Sequence, residues 1–93
     1  SLPLAVIEAM AIGLPIVALA TTEIPRAVRN GLDGFVSNSL AELVDGMRLL
    51  LSDPPLARRL GKNAAEAARE NFGIDRFRRD WDAAFRRVTD EDN

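Results

Sequence analysis

The sequence predicts an α/β chain that forms a terminal piece of a larger, doubly wound domain on a parallel sheet. Three observations carry that prediction. Pro15-Ile16-Val17-Ala18-Leu19-Ala20 is a continuous apolar run without alternation, bounded by Gly13-Leu14 and Thr21-Thr22, which is the pattern of a strand covered on both faces. Helix and strand signals alternate as far as Val36. From Ser39 onward the signals are helical only. The expected content is two short strands and about five helices, divided into a helix-strand-helix-strand part over 1–38 and terminal helices over 39–93.

Each element has a local reason. Pro3 suits the first position of a helix over Leu4 to Ile12, with Ser1 or Leu2 as its cap and Gly13 closing it. A short helix is expected from Pro25 to Arg29. Asn30-Gly31 and Asp33-Gly34 are turn signals ahead of a second strand near Phe35-Val36. Ser39-Leu40-Ala41-Glu42 matches a capping box, and Leu40, Leu43, Val44, Met47, Leu50 and Leu51 keep helical spacing until Ser52-Asp53-Pro54-Pro55. A further helix covers Leu56 to Asn71 and stops at Phe72-Gly73. The last runs from Asp75, a cap, to Val88, with Phe77, Trp81, Phe85 and Val88 on one face and Thr89 to Asn93 as a frayed acidic tail. Two parallel strands alone leave open edges, so a larger sheet is expected around this piece.

Composition removes several chemistries. The 93 residues hold no Cys and no His, which excludes disulfides, thiol nucleophiles, histidine bases and the usual zinc sites. Twelve basic and fourteen acidic residues give a net charge of -2, so no overall field recruits nucleic acid. Arg76, Arg78, Arg79, Arg86 and Arg87 alternate with Asp75, Asp80 and Asp82 as a solvated face does. The apolar opening is interrupted by Glu8 and Pro15 and falls short of the ~20 residues of a membrane span. A cytoplasmic chain, or one at the cytoplasmic face of a membrane, is expected.

Glu8 is the first candidate for chemistry. It is the only charged residue among the first 22, and no Lys or Arg occupies its helical neighbours Leu4, Ala5, Ala11 and Ile12. A carboxylate in so apolar a segment is expected to be desolvated and to need a partner. Ligands of open α/β sheets bind beyond the carboxyl ends of the strands, where helix starts present free amides. The amides of Leu2, Leu4 and Ala5 suit an anion such as phosphate. Glu8, one turn on, suits the adjacent hydroxyls of a ribose. Thr21 and Thr22, at the end of the first strand, are secondary candidates. The competing reading is a core helix whose carboxylate turns to water or pairs with a distant Arg.

Leu4 to Ala18, then Ile24-Pro25 and Asn30-Gly31-Leu32-Asp33-Gly34-Phe35-Val36, resemble the C-terminal, nucleotide-sugar-binding half of retaining GT-B glycosyltransferases of the group 1 type. Leu49 to Pro54, Arg59-Leu60-Gly61 and Ala64 to Phe72 extend the resemblance over nearly the whole chain. It implies that Glu8 is the second of two signature glutamates and holds the donor ribose, while the first would stand one residue before Ser1. Ser1-Leu2-Pro3-Leu4 replaces the family's usual Gly-aromatic-Gly-Leu, and Glu23 and Arg26 stand where relatives often have Gly and Glu. The resemblance further implies a nucleotide-diphosphate sugar donor, transfer with retention, and no metal or other cofactor. It places the catalytic machinery outside this piece and an N-terminal domain against the Phe77/Trp81/Phe85 helix, and it leaves room for peripheral membrane association of the intact protein. A non-catalytic structural or interaction module of the same shape is the alternative.

Overall fold

The computed structural model describes residues 3–21 and 23–91, without the side chains of 74–78, 81, 90 and 91. Its elements follow in the order α1 (Leu4–Ala11), β1 (Ile16–Leu19), α2 (Ile24–Ala27), β2 (Gly34–Ser37), α3 (Leu40–Ser52), α4 (Pro54–Phe72) and α5 (Ile74–Glu91). β1 and β2 pair in parallel, with Ile16 opposite Gly34 and Leu19 opposite Ser37. The expected α/β class, with two strands and five helices, is the observed one.

Helices lie on both faces of the pair. Ile16, Ala18 and Val36 join Met10, Ala11, Ile24, Ala27, Val28, Ala64, Ala67 and Ala68 in one apolar cluster, which places α1, α2 and α4 on that face. Side chains alternate across a strand, so Val17 and Phe35 point to the other face, where α3 packs on both strands. Gly46 of α3 rests on the Phe35 ring, with no room for a Cβ between them. Leu19 remains exposed, so β1 is not covered along its whole length as its apolar run suggested. Its only neighbour among the described residues is β2.

The turn into β2 is built on Asp33, the one buried charged or polar side chain among the described residues. It accepts three bonds from Arg29, at 2.9 Å each, from the backbone N–H, Nε and Nη2. Its carbonyl accepts the Ile16 N–H at 3.1 Å, and the next residue, Gly34, lies so close to Ile16 that a Cβ there would overlap the Ile16 carbonyl. The Asn30 Oδ1 accepts the Val36 N–H at 3.0 Å. Burial pushes the Asp33 carboxyl up, but the hydrogen bonds and charge of Arg29 outweigh it and hold the carboxyl below its usual range.

Several boundaries differ from expectation for local reasons. Pro3 is the N-cap of α1 rather than its first helical residue, because its ψ of 134° is extended. Gly13, at φ +86°, closes α1 in a Schellman turn, in which Gly13 N–H donates to Met10 and Leu14 N–H to Ala9. The capping box is half formed: Ser39 Oγ accepts the Glu42 N–H, but the Glu42 carboxylate is taken by the Ser37 hydroxyl, which itself accepts the Ser39 N–H. Pro54 and Pro55 open α4 instead of merely ending α3, since proline is at home in a first turn capped by Asp53, whose Oδ1 accepts the Leu56 N–H. α5 starts at Ile74, so Asp75 is inside it, and it continues through Thr89 and Asp90 to Glu91. The Thr89 hydroxyl donates back to the Phe85 carbonyl, a bond that a continuing helix accommodates. The expected cap at Ser1 or Leu2 falls outside the described residues, as do the side chains of Phe77 and Trp81. Phe85 and Val88 are exposed.

α4 is held close to the sheet by two contacts. Asn63 Nδ2 donates to the Leu32 carbonyl at 2.8 Å, and Gly61 meets the Gly13 carbonyl so closely that a Cβ at Gly61 would overlap it. Gly61→Ala is therefore expected to destabilise the protein by about 1–3 kcal/mol, although alanine in a helix ordinarily gains up to about 1 kcal/mol over glycine. The urea midpoint reads this directly. Asp33 gives a second prediction: its folded-state pKa is depressed, so its contribution is present above the unfolded value near ~4 and is lost as pH falls through the folded value. Acid titration of stability should show that loss, and Asp33→Asn should remove this part of the pH dependence.

Candidate nucleotide site

α1 precedes β1 through the tight Gly13–Pro15 link, so it runs back along the sheet and its first turn lies at the carboxyl end of β1. The Val6 N–H donates to the Pro3 carbonyl at 3.1 Å, which leaves the Leu4 and Ala5 amides, among the described residues, without an acceptor. An eight-residue helix aims the positive end of its dipole at the same point. Pro3 adds a fixed φ of -62° and no donor.

Glu8 lies four residues along, on the same side of the helix as Leu4. That side is open: Leu4, Glu8 and Ile12 are all exposed, while Met10 and Ala11 are buried and Val6, Ile7 and Ala9 are half-buried. This corrects the expectation of desolvation. Within the described residues Glu8 faces water, and no side chain of the chain hydrogen-bonds to its carboxylate. Of the two outcomes of the competing reading, the carboxylate turned to water is the one observed, and pairing with a distant Arg is not seen among the described residues. What remains is an uncovered carboxylate about 6 Å along the axis from a start with open amides.

The other candidates separate. Thr21 sits at the end of β1 with its N–H donated to the Leu19 carbonyl at 2.8 Å and its own carbonyl accepting the Ile24 N–H at 3.0 Å, so its backbone is engaged in opening α2. Leu2 and Thr22 lie outside the described residues. No group of three or more Asp or Glu side chains is arranged among the described residues to hold a metal ion, and no helix there is long and apolar enough to cross a membrane.

The same edge holds a feature that the residue pattern did not single out as a site. An open groove is lined by Glu23, Arg26 and Ala27 of the α2 region and by Asn71 and Phe72 at the end of α4. Glu23 Oε2 and Arg26 Nη1 stand 3.5 Å apart. The two halves lie about 45 residues apart in sequence, and spacing along the chain gives no hint of their meeting.

Comparison with known proteins identifies the family. Residues 1–67 match the family model of the glycosyl transferases group 1. The chain is similar to an uncharacterized glycosyltransferase of Haemophilus influenzae, with 36% identity over 83 residues that cover 86% of this chain and 23% of that protein. It is also similar to a D-inositol 3-phosphate glycosyltransferase of Streptomyces bingchenggensis, with 38% identity over 78 residues that cover 82% of this chain and 17% of the relative. The chain thus spans less than a quarter of the length of these curated relatives. No solved structure matches it. With a family match over more than two thirds of its residues, on a parallel pair flanked by helices, this chain belongs to the glycosyl transferase group 1 family.

Proposed function

We propose that the intact protein transfers a sugar from a nucleotide-diphosphate donor, with retention of anomeric configuration, and that this chain supplies part of the donor nucleotide site. The observation that carries the reading is the open face of α1, where the Leu4 and Ala5 amides find no acceptor among the described residues and the Glu8 carboxylate is uncovered one turn away. A phosphate oxygen accepts hydrogen bonds from the helix start, and its charge is favoured by the helix dipole. A carboxylate offers two acceptor oxygens to the paired hydroxyls of a ribose. One nucleotide satisfies both groups.

On this reading the role of Glu8 is to orient the donor, and the bond-breaking step belongs to groups elsewhere in the intact protein. The positive end of α1 offsets part of the diphosphate charge as the leaving group departs, so no metal is required at this point of the site. The family membership supports the reaction class, and the exposure of Glu8 leaves its carboxylate accessible to a ligand.

Calorimetric titration of the intact protein with UDP-, GDP- and ADP-sugars tests the assignment. Glu8→Ala is expected to weaken the best donor by roughly 1–3 kcal/mol, the scale of losing a charged hydrogen-bond partner. Since Glu8 is exposed, that variant should keep the stability of the parent. Unchanged affinity would rule out the ribose role.

A further inference from the structure

We infer that the groove between α2 and the end of α4, lined by Glu23, Arg26, Ala27, Asn71 and Phe72, binds a neutral polyhydroxylated ring of the hexopyranose class. The inference rests on the glycosyl-transfer reading, to which it adds a sugar subsite separate from Glu8.

The groove lies at the ligand edge. Gly61 packs on Gly13 at the amino end of β1, and α4 runs eleven residues further to Phe72, about 16 Å of helix. That length carries Asn71 and Phe72 to the opposite end of the sheet, beside Glu23, which follows the carboxyl end of β1. The space is about 210 Å³, room for a single small ring and less than the ~300–1,000 Å³ of most small-molecule clefts.

Its lining selects a chemistry. Glu23 contributes acceptors, Arg26 donors and Asn71 both, so the groove can receive and give hydrogen bonds to several hydroxyls at once. Phe72 adds an exposed apolar surface suited to the C–H face of a sugar ring. The two charges cancel: an anion drawn to Arg26 meets Glu23 3.5 Å away, and a cation meets the reverse. A neutral ring meets no such penalty. The ion pair is an exposed one, with side chains 83% and 44% accessible, and pairs of that kind contribute little to stability. A ligand can therefore open it at small cost.

Saturation-transfer NMR on the intact protein tests the inference with the methyl α-pyranosides of glucose, galactose and mannose as probes, and with inorganic phosphate and UDP as separate additions. At least one glycoside should receive saturation from the protein. Arg26→Gln, at an exposed position, and Phe72→Leu, which keeps apolar volume but removes the ring, should each weaken it about tenfold. Phosphate should not displace it. Absence of binding by all three glycosides, binding unaffected by both variants, or displacement by phosphate would each overturn the proposal. The UDP arm reads the Glu8 site independently: lack of UDP binding beside intact glycoside binding counts against the nucleotide assignment and not against the groove.

Discussion

The fold depends on how β2 is set against β1, and that is decided by the buried Asp33 carboxylate. Three bonds from Arg29 close the turn, and the Asp33 carbonyl receives the first amide of β1. The charge is tolerated because it is fully paired, in accord with the general cost of burying a carboxylate alone. Gly34 then passes over Ile16 without a side chain, and the register Ile16 to Gly34 follows. Everything placed by the strands inherits this register. α3 sits on Phe35 through Gly46, and α1 and α4 sit on Ile16, Ala18 and Val36.

Small residues make that arrangement compact. α4 presents Gly61, Ala64, Ala67 and Ala68 to the interior, so it approaches the Gly13 turn and the sheet closely. Close approach in turn fixes where the helix ends. The α1 start, with Glu8, and the groove at Phe72 therefore share one edge of the sheet for a single reason: both helices are packed against the same strands and run in opposite directions along them.

The sequence made the order of elements legible because their punctuation is strong. Gly13, the Pro15 to Ala20 run, Asn30-Gly31 and Ser39 each mark a boundary that local chemistry enforces. It did not reveal the exposure of Glu8. Apart from Glu8, the segment Leu4–Ala11 is apolar around its circumference, so no periodicity distinguishes the face toward the core from the face toward solvent. In the sequence Asp33 is a turn signal beside Gly34, although Arg29 four positions earlier is a pairing signal of ordinary i,i+4 kind. Its burial depends on packing from β1, which no local pattern encodes. The extension of α5 to Glu91 runs against the local signal, because acidic residues disfavour a helix C-terminus. The Glu23/Phe72 groove joins distant parts of the chain and needs the tertiary structure to be seen at all.

The central claim is that an anionic nucleotide meets the first turn of α1. Amide chemical-shift mapping of the isotope-labelled intact protein with UDP, GDP and ADP tests it most directly. The account predicts that the largest shifts fall on Leu4 and Ala5, with Glu8 following, and that they grow from the nucleoside to the diphosphate. Shifts centred instead on the basic stretch Arg58, Arg59 and Lys62 of α4, with Leu4 and Ala5 unmoved, would contradict it.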